Sequence, residues 1–333
     1  MSERARARER ASERARESAR VPGERGGGGE ERRRNEASKK TQQRSHSSAG
    51  AAFSNEKVEQ VSTSGAHSLP RLFLQLKKTK SLSFASGKLY LSQDSGATWA
   101  PQANFQPSAP STLNWNAVAM SASGSVLAAG TDDATTGKLF LSRDLGATWV
   151  EQTSNLPAAA RFTSITVSDD GNKIATTTFS SPGRMYYTTD GGATWNAPAG
   201  APSTSKWQGI ASSADGAKLL AGDEDSVGGN LWLSGDSGVA FAAQAAGLAV
   251  PTQWRAVAAS SDFTKLAAAV GTSGGVYLSS TSGAAFSLAT GGGLPTSIFW
   301  RGVAMSTDGS VLAVVGTSNV WVSYDAGATW FQR

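Results

Sequence analysis

The chain has 333 residues, 37 glycines, 10 tryptophans and no cysteine, which excludes disulfides, cysteine-ligated zinc and thiol catalysis. Its formal charge of +5 comes from residues 1–60, which hold 15 lysines and arginines against 10 acidic residues. Because the remaining residues are balanced in charge, a basic body built to bind nucleic acid is also excluded.

Residues 1–65 are expected to form a disordered tail rich in Arg, Glu and Ser, because no Trp, Tyr, Leu or Ile precedes residue 69. Two alternatives stay open: a weak polyanion contact through Arg32-Arg33-Arg34 and Lys39-Lys40, and an organelle transit peptide, against which the many glutamates argue. The chain shows neither a secretory h-region nor an apolar run that could span a membrane. The compartment therefore stays undetermined.

One phrase, Ser/Thr-x-Asp-x-Gly-x-x-aromatic, recurs along the rest of the chain. Five copies and a worn sixth, with Thr281 in place of the aspartate, occupy residues 92–99, 142–149, 188–195, 234–241, 279–286 and 323–330. A second marker, an aromatic residue before a short apolar run, recurs every 45–47 residues, at Trp115, Phe162, Trp207, Trp254 and Trp300. Two markers with one period indicate a repeated unit that must stack on its neighbours to bury its apolar face.

Each repeat predicts four short antiparallel strands. The first begins at the aromatic marker, the second follows a tight turn such as Asp170-Gly171, the third alternates around an aromatic, and the fourth starts in the phrase. Four strands per ~45 residues predict an all-β fold, a β-propeller. We expect six blades over residues 66–333, with the first blade using residues 72–74 and 81–85. Seven blades fit only if the tail hides one. The ring is expected to close by packing blade on blade, with less order in the first blade.

The phrase resembles the Asp-box, or BNR repeat, of the sialidase-like β-propeller superfamily. Residues 187–195 are also similar to the propellers of photosystem II stability/assembly factors. In physical terms the aspartate can accept backbone N–H bonds, the glycine takes a strained conformation, and the aromatic ring packs between blades. We therefore expect a structural role for the box residues Asp94, Asp144, Asp190, Asp236, Asp325, Trp99, Trp149, Trp195 and Trp330.

The resemblance to sialidases implies three arginines, a Tyr nucleophile assisted by a Glu, an Asp acid/base and a Phe/Tyr-Arg-Ile-Pro motif. This pattern is not found, since Leu69-Pro70-Arg71-Leu72 does not match and Glu151 and Glu224 are the only glutamates beyond residue 60. A glycosidase with paired carboxylates, from Asp132-Asp133 and Asp223-Glu224-Asp225, stays conceivable. With both histidines in or beside the tail, no catalytic triad, metal or cofactor is expected.

Antiparallel order places the boxes on one face of the propeller, so ligand-binding residues are expected on the other face. There the residue after each aromatic marker, together with two basic residues before it, would form a ring: Asn116, Thr163, Gln208, Arg255, Arg301, Arg161 and Lys206. Such a ring could hold an anionic ligand or an acidic peptide, or could simply be the hydrophilic rim of a channel. The sequence thus favours a non-catalytic scaffold for a protein, anionic or carbohydrate ligand. A sialidase-like hydrolase and a photosystem II assembly-factor-like protein are the alternatives.

Overall fold

A computed structural model describes residues 62–63, 81–85, 87–107, 113–179, 183–225, 229–248, 252–317 and 319–333. The chain divides into two units, and all described residues lie in the second, Glu56–Arg333. Apart from a two-residue strand at Ser62–Thr63, the expected tail lies outside the described residues, as does the expected first strand at 72–74. The boundary drawn at residues 65 and 66 stays a prediction.

The described chain is almost entirely β-structure. Its strands are β1 (Ser62–Thr63), β2 (Ser81–Ala85), β3 (Lys88–Ser92), β4 (Ala100–Pro101), β5 (Phe105–Gln106), β6 (Trp115–Met120), β7 (Leu127–Thr131), β8 (Leu139–Ser142), β9 (Trp149–Glu151), β10 (Phe162–Val167), β11 (Ile174–Thr178), β12 (Met185–Thr188), β13 (Trp207–Ser212), β14 (Leu219–Asp223), β15 (Leu231–Ser234), β16 (Ala242–Gln244), β17 (Trp254–Ala259), β18 (Leu266–Val270), β19 (Val276–Ser279), β20 (Ser287–Leu288), β21 (Trp300–Met305), β22 (Leu312–Gly316), β23 (Val320–Ser323) and β24 (Phe331–Gln332). Within the described ranges, one 3-10 turn spans Gly291–Gly293. No helix of the described residues is long and apolar enough to cross a membrane.

The strands form six sheets, each built from strands consecutive in sequence, and we number these sheets as blades 1 to 6. They are β2–β4, β6–β9, β10–β12, β13–β16, β17–β20 and β21–β24. Within every blade neighbouring strands pair antiparallel. Two strands join from outside, since β5 pairs in parallel with β9, and β1 pairs antiparallel with β21. The expected all-β, six-bladed propeller is confirmed.

The core of the propeller lies in the seams between blades. The innermost strands pack in chain order, from β2 against β6 through to β17 against β21. Five apolar clusters fill the five seams between consecutive blades. Because side chains of a strand alternate between its two faces, Ala256 and Ala258 face blade 6 while Val257 faces blade 4. Blades 2 to 5 are thus buried on two sides and depend on their neighbours.

Blade 3 has three regular strands, whereas blades 2, 4, 5 and 6 have four, and a proline explains the difference. In blade 2 the main-chain N–H of Gln152 donates to the carbonyl of Leu139 (2.8 Å) and extends the fourth strand. The equivalent position of blade 3 is Pro198, which has no N–H to donate. Its fourth strand is therefore reduced to one bridge between Tyr187 and Asn196.

Candidate functional site

The side chains of an Asp-box form hydrogen bonds within their own turn. In the first box, Asp94 Oδ1 accepts hydrogen bonds from the Ser92 hydroxyl and the Thr98 N–H, both at 2.8 Å. Its Oδ2 accepts the Thr98 hydroxyl at 2.5 Å, and the Gly96 N–H donates to Ser92 Oγ at 2.8 Å. All partners of the carboxylate lie within four residues of it, so the turn needs no other part of the chain.

These hydrogen bonds hold the box carboxylates ionised. Bonds from the Thr98 side chain and main chain, with a smaller effect of Ser92, lower the pKa of Asp94 to about 2. The equivalent bonds from Thr329 lower the pKa of Asp325 to about 2, and the pKa values of Asp144, Asp190 and Asp236 are lowered as well. An acid locked in its charged form cannot serve as a proton donor near neutral pH.

The worn box keeps its geometry without the aspartate. Thr281 Oγ1 accepts the main-chain N–H of Ala285 at 3.0 Å, which is the bond that Asp94 makes to Thr98. The Gly283 N–H still donates to Ser279 Oγ at 3.1 Å. A hydroxyl therefore takes the place of the carboxylate in this turn. The exchange is compatible with a structural role for this box position, but not with a role that needs a negative charge.

In blades 2 to 6 the aromatic residue of the box packs against the preceding blade. Trp149 and Trp195 are fully buried and Trp330 is 2% exposed, whereas Trp99 of blade 1 is partly exposed. A glutamine also connects neighbouring blades. Gln102 lies three residues after the box aromatic of blade 1, and its Oε1 accepts a hydrogen bond from Trp149 Nε1 of blade 2 at 3.3 Å. Sequence reasoning missed this glutamine, although its fixed spacing after the box was a usable signal.

A second self-closed turn lies at the same end of the blades, between the first and second strands. The Ser168 hydroxyl donates to Asp170 at 2.5 Å and accepts the N–H of Lys173 at 3.0 Å. Main-chain hydrogen bonds then join successive turns from blade 2 to blade 6. They are Ala122 N–H to Asp169 O, Asp169 N–H to Ala214 O, Ala214 N–H to Ser261 O, and Ser261 N–H to Thr307 O. Main-chain hydrogen bonds therefore join blades 2 to 6 along the box face, a feature that no sequence pattern predicted.

At the opposite end, every first strand described in full carries a β-bulge at the residue after its aromatic marker. The pairing register shifts across each of these five residues, which are Asn116, Thr163, Gln208, Arg255 and Arg301. A bulge removes its residue from the ladder and re-aims the side chain. The residues that the sequence singled out thus share one backbone geometry, and we call the surface around them the bulge face.

Two members of this ring fasten neighbouring blades together. Asn116 is 4% exposed, and its Nδ2 donates to the carbonyl of Phe162 in blade 3 at 2.8 Å. Thr163 is 5% exposed, and its hydroxyl lies 2.9 Å from the carbonyl of Trp207 in blade 4. On blades 2 and 3 the ring is therefore buried and engaged with the next blade.

On blades 4 and 5 the residues of the ring belong to a charged cluster. Glu224, directly after β14, accepts two bonds from Arg255 Nη1, at 3.0 Å and 2.8 Å, and also accepts the side-chain amide of Gln208. Burial lowers the pKa of Arg255 while Glu224 raises it. The carbonyl oxygen of Gln208 is buried and has no partner among the described residues. This cluster links blade 4 to blade 5.

A more exposed ion pair links blade 2 to blade 3. Asp132, directly after β7, lies 2.6 Å from Nε of Arg161. The guanidinium of Arg161 also sits 5.0 Å above the ring of Phe179. In both ion pairs the acid follows the second strand of one blade and the arginine lies at the first strand of the next blade. The two partners are 29 residues apart in the Asp132 pair and 31 residues apart in the Glu224 pair. Sequence reasoning named these arginines and the acidic residues but did not pair them.

Two predicted cations remain unpaired at this face. Arg301 and Lys206 are exposed, and neither forms a salt bridge in the part of the chain that the structure describes. The charge of Arg301 lowers the pKa of Arg255, and that of Asp132 raises it, so groups from blades 2, 5 and 6 act on one another. Phe299, two residues before Arg301, is 52% exposed. Blade 6 thus presents an aromatic ring and a free positive charge beside the ion-paired cluster.

The carboxylates of the hydrolase alternative already have partners. Asp133 accepts the main-chain N–H groups of Thr135 and Thr136, and these bonds lower its pKa to about 2. Asp223 is 1% exposed and accepts Trp232 Nε1 at 2.9 Å, and burial raises its pKa. Asp132 and Glu224 are held by arginines, so these four candidate acids are engaged in turns, ion pairs or core contacts.

Comparison with known proteins agrees with this architecture. A family model described as BNR/Asp-box repeat matches residues 186–197. Among solved structures, "YCF48 bound to D1 peptide" is similar at a TM-score of 0.55 and 15% identity, covering 84% of this chain and 81% of that one. YCF48 from Cyanidioschyzon merolae matches at a TM-score of 0.53 and 14% identity, over 84% and 86% of the two chains. A search of curated proteins gives no match.

A glycoside hydrolase shares the fold as well. The GH74 xyloglucanase from Xanthomonas campestris matches at a TM-score of 0.56 and 17% identity, over 75% of this chain and 45% of the enzyme. This chain therefore spans less than half of that enzyme's length. The repeat and the fold define an all-β propeller built on Asp-boxes, and the recognition of the box in the sequence is confirmed.

Proposed function

We propose that this propeller is a non-catalytic scaffold that binds an acidic segment of a partner protein at the bulge face. The observation that carries the proposal is Arg301, exposed and without an ion-pair partner among the described residues, beside Arg255, which Glu224 holds in place. Exposed Phe299 adds an apolar contact. A guanidinium with an aromatic neighbour suits a carboxylate-bearing peptide, because the guanidinium can bind the carboxylate through two parallel hydrogen bonds.

The contrast between the two faces supports this location. The box carboxylates are satisfied by their own turns, so they offer little to a ligand. On the bulge face the side chains differ from blade to blade, and only such differences can distinguish one partner from another. A propeller of similar fold was solved as "YCF48 bound to D1 peptide", and this likeness supports the proposal of a peptide ligand.

The two alternatives stay predictions. A hydrolase would need two carboxyl groups about 5–9.5 Å apart and free to exchange protons. The engaged state of Asp132, Asp133, Asp223 and Glu224 gives that alternative no support. A role like that of photosystem II assembly factors rests on the wording of the box and on likeness of fold.

The test is a titration of the full chain with a fluorescein-labelled decapeptide composed of Asp, Glu, Ala and Phe. A second decapeptide, with Asn in place of Asp and Gln in place of Glu, is titrated for comparison. We expect binding of the acidic peptide only, weakened about tenfold by Arg301→Ala, the loss of one charge-assisted contact. Arg143→Ala, which removes an exposed arginine of the box face, is the matched control and should change the affinity less than about twofold. Equal effects of the two variants, or equal binding of the two peptides, would show the proposal to be wrong.

A further inference from the structure

The residue directly after the second strand of a blade holds a fixed place at the bulge face. It is Asp132 in blade 2, Phe179 in blade 3, Glu224 in blade 4 and Gly271 in blade 5. In each case its main-chain N–H donates to the carbonyl of the residue just before the aromatic marker of the same blade, at 2.7 to 2.8 Å. The backbone is therefore held in the same way at all four places, and the side chain is what differs.

Blade 4 shows what an acid does at this place. The carboxylate of Glu224 accepts the side-chain amide of Gln208 and two hydrogen bonds from Arg255 Nη1, at 3.0 Å and 2.8 Å. Gln208 and Arg255 are the bulge residues of blades 4 and 5. One carboxylate after the second strand thus binds the bulge residue of its own blade and that of the next blade.

The seam between blades 5 and 6 has the same plan but no acid. Its two bulge residues are Arg255 and Arg301, and the place of Glu224 is taken by Gly271. A Cβ built on Gly271 would lie 2.9 Å from the Cβ of Arg255, so a side chain at this place would begin beside the stem of Arg255. Gly271 is partly exposed and Arg301 is exposed, so this place can be reached from the surface.

The two arginines of this seam act on each other electrostatically. Burial lowers the pKa of Arg255, the Glu224 carboxylate raises it, and the charge of Arg301 lowers it again. Like charges disfavour each other's charged form, and a carboxylate placed between them relieves that repulsion. A guanidinium also carries five N–H donors in a planar fork, which suits the paired oxygens of a carboxylate. The seam therefore has the charge and the donors for an acid that it does not itself contain.

Residues 62–333 provide no carboxylate for this seam. Among the described residues Arg301 forms no salt bridge. The stretches beyond Thr63 that the structure leaves undescribed contain neither Asp nor Glu; they are residues 64–80, 86, 108–112, 180–182, 226–228, 249–251 and 318. An acid that pairs with Arg301 must therefore come from another molecule or from the first 61 residues.

We propose that the seam between blades 5 and 6 is the subsite that recognises the acidic peptide. One carboxylate side chain of the partner lies between Arg255 and Arg301, as Glu224 lies between Gln208 and Arg255. This inference rests on the function proposed above and narrows it to one acidic side chain and two arginines. If an acid from the first 61 residues filled the seam instead, an added carboxylate would find the arginines already occupied.

The first experiment supplies the missing acid within the chain. The fluorescein-labelled acidic decapeptide is titrated against Gly271→Glu and against Gly271→Gln, which adds a side chain of the same size without the charge. Gly271→Glu should bind the peptide about tenfold more weakly than Gly271→Gln, because the introduced carboxylate occupies Arg301. The same two substitutions at exposed Ser273, two residues further along the loop, control for added charge alone and should differ by less than about threefold.

The second experiment uses the unaltered chain and stays decisive if the Gly271 variants fold poorly. The full chain with isotope-labelled arginine is titrated with N-acetyl-glutamate amide in an NMR measurement, and with N-acetyl-glutamine amide as the uncharged control. The side-chain Nε–H signals of Arg255 and Arg301 are assigned through Arg255→Lys and Arg301→Lys. Both signals should shift with the glutamate compound, and neither should shift with the glutamine compound.

The outcomes separate this inference from the proposed function. If the decapeptide binds but the two Gly271 variants bind it equally, or the glutamate compound fails to shift both arginines, the subsite is wrong and the function stands. If both arginines shift but the decapeptide does not bind, the subsite stands and the function is wrong. Absence of both the peptide binding and the arginine shifts would overturn both.

Discussion

The box face and the bulge face both carry polar and charged side chains but use them in different ways. On the box face Asp94 and Thr98, four residues apart, satisfy each other, and the same turn recurs in later blades. On the bulge face Glu224 and Arg255 are 31 residues apart, and among the described residues the same kind of link recurs at one other place, between Asp132 and Arg161. The box turns repeat and build the propeller, whereas Arg301 and Lys206 of the bulge face have no salt-bridge partner among the described residues and are available for recognition.

The largest expected effect on stability comes from the aromatic residue of an Asp-box. Trp149→Ala removes a fully buried ring from the seam between blades 1 and 2 and should lower the free energy of unfolding by about 3–5 kcal/mol. Urea denaturation measures the loss. Trp99→Ala, at a partly exposed ring of the same type, should cost clearly less. Equal losses would contradict the assignment of Trp149 to a seam core.

The second effect tests the bulge face. Glu224→Gln removes the charge opposite Arg255, and both side chains are 16% exposed, so about 1–3 kcal/mol of stability should be lost. Asp132→Asn breaks the more open pair, whose side chains are 38% and 28% exposed, and should cost about 1 kcal/mol or less. Denaturant unfolding of both variants decides the order. A reversed order would show that the blade 4 to blade 5 cluster is not the stronger link.

The third effect is the acid sensitivity of the box face. The pKa of Asp325 is lowered from 3.8 to about 2 by Thr329 and Ser323, so its stabilisation is present above pH 4 and is lost as the pH falls through about 2. The unfolding free energy of the chain should therefore fall between pH 5 and pH 2.5. Asp325→Asn should reduce that fall, because its amide does not titrate. An identical pH dependence in the variant would contradict the turn assignment.

The smallest effect is a gain in stability. Leu145 has φ of 62° in the second box, a left-handed conformation that costs a branched side chain about 1–2 kcal/mol. Leu145 is also 41% exposed, so little burial is lost when it is replaced. Leu145→Asn should stabilise the chain by about 0.5–1 kcal/mol in thermal or urea unfolding, because Asn tolerates this conformation.

The neighbouring glycine supplies the control for this gain. Gly146 has φ of 88°, and an added Cβ would lie 2.6 Å from Gln102 Oε1 and 2.8 Å from Leu91 Cδ2. Gly146→Ala should therefore destabilise the turn. A loss of stability in Leu145→Asn would refute the conformational argument.

The sequence predicted what depends on local spacing. The box phrase, the aromatic marker and the turn residues recur at one period, so the blades, the strand order and the closed turn around Asp94 followed from them. The bulges could not be predicted, because a register shift at Arg255 depends on the pairing of β17 with β18. The ion pairs could not be predicted either, since Glu224 and Arg255 meet only when blade 4 packs on blade 5. The short fourth strand of blade 3 had a signal, Pro198, that the repeat pattern concealed.

The most direct test of the contrast between the faces is hydrogen exchange of the full chain, with and without the acidic decapeptide. We predict slower exchange at residues 206–208, 223–225 and 299–302 of the bulge face, and unchanged exchange in the boxes at 94–98, 144–148 and 325–329. Protection of the boxes, with no change around Arg301, would contradict the account.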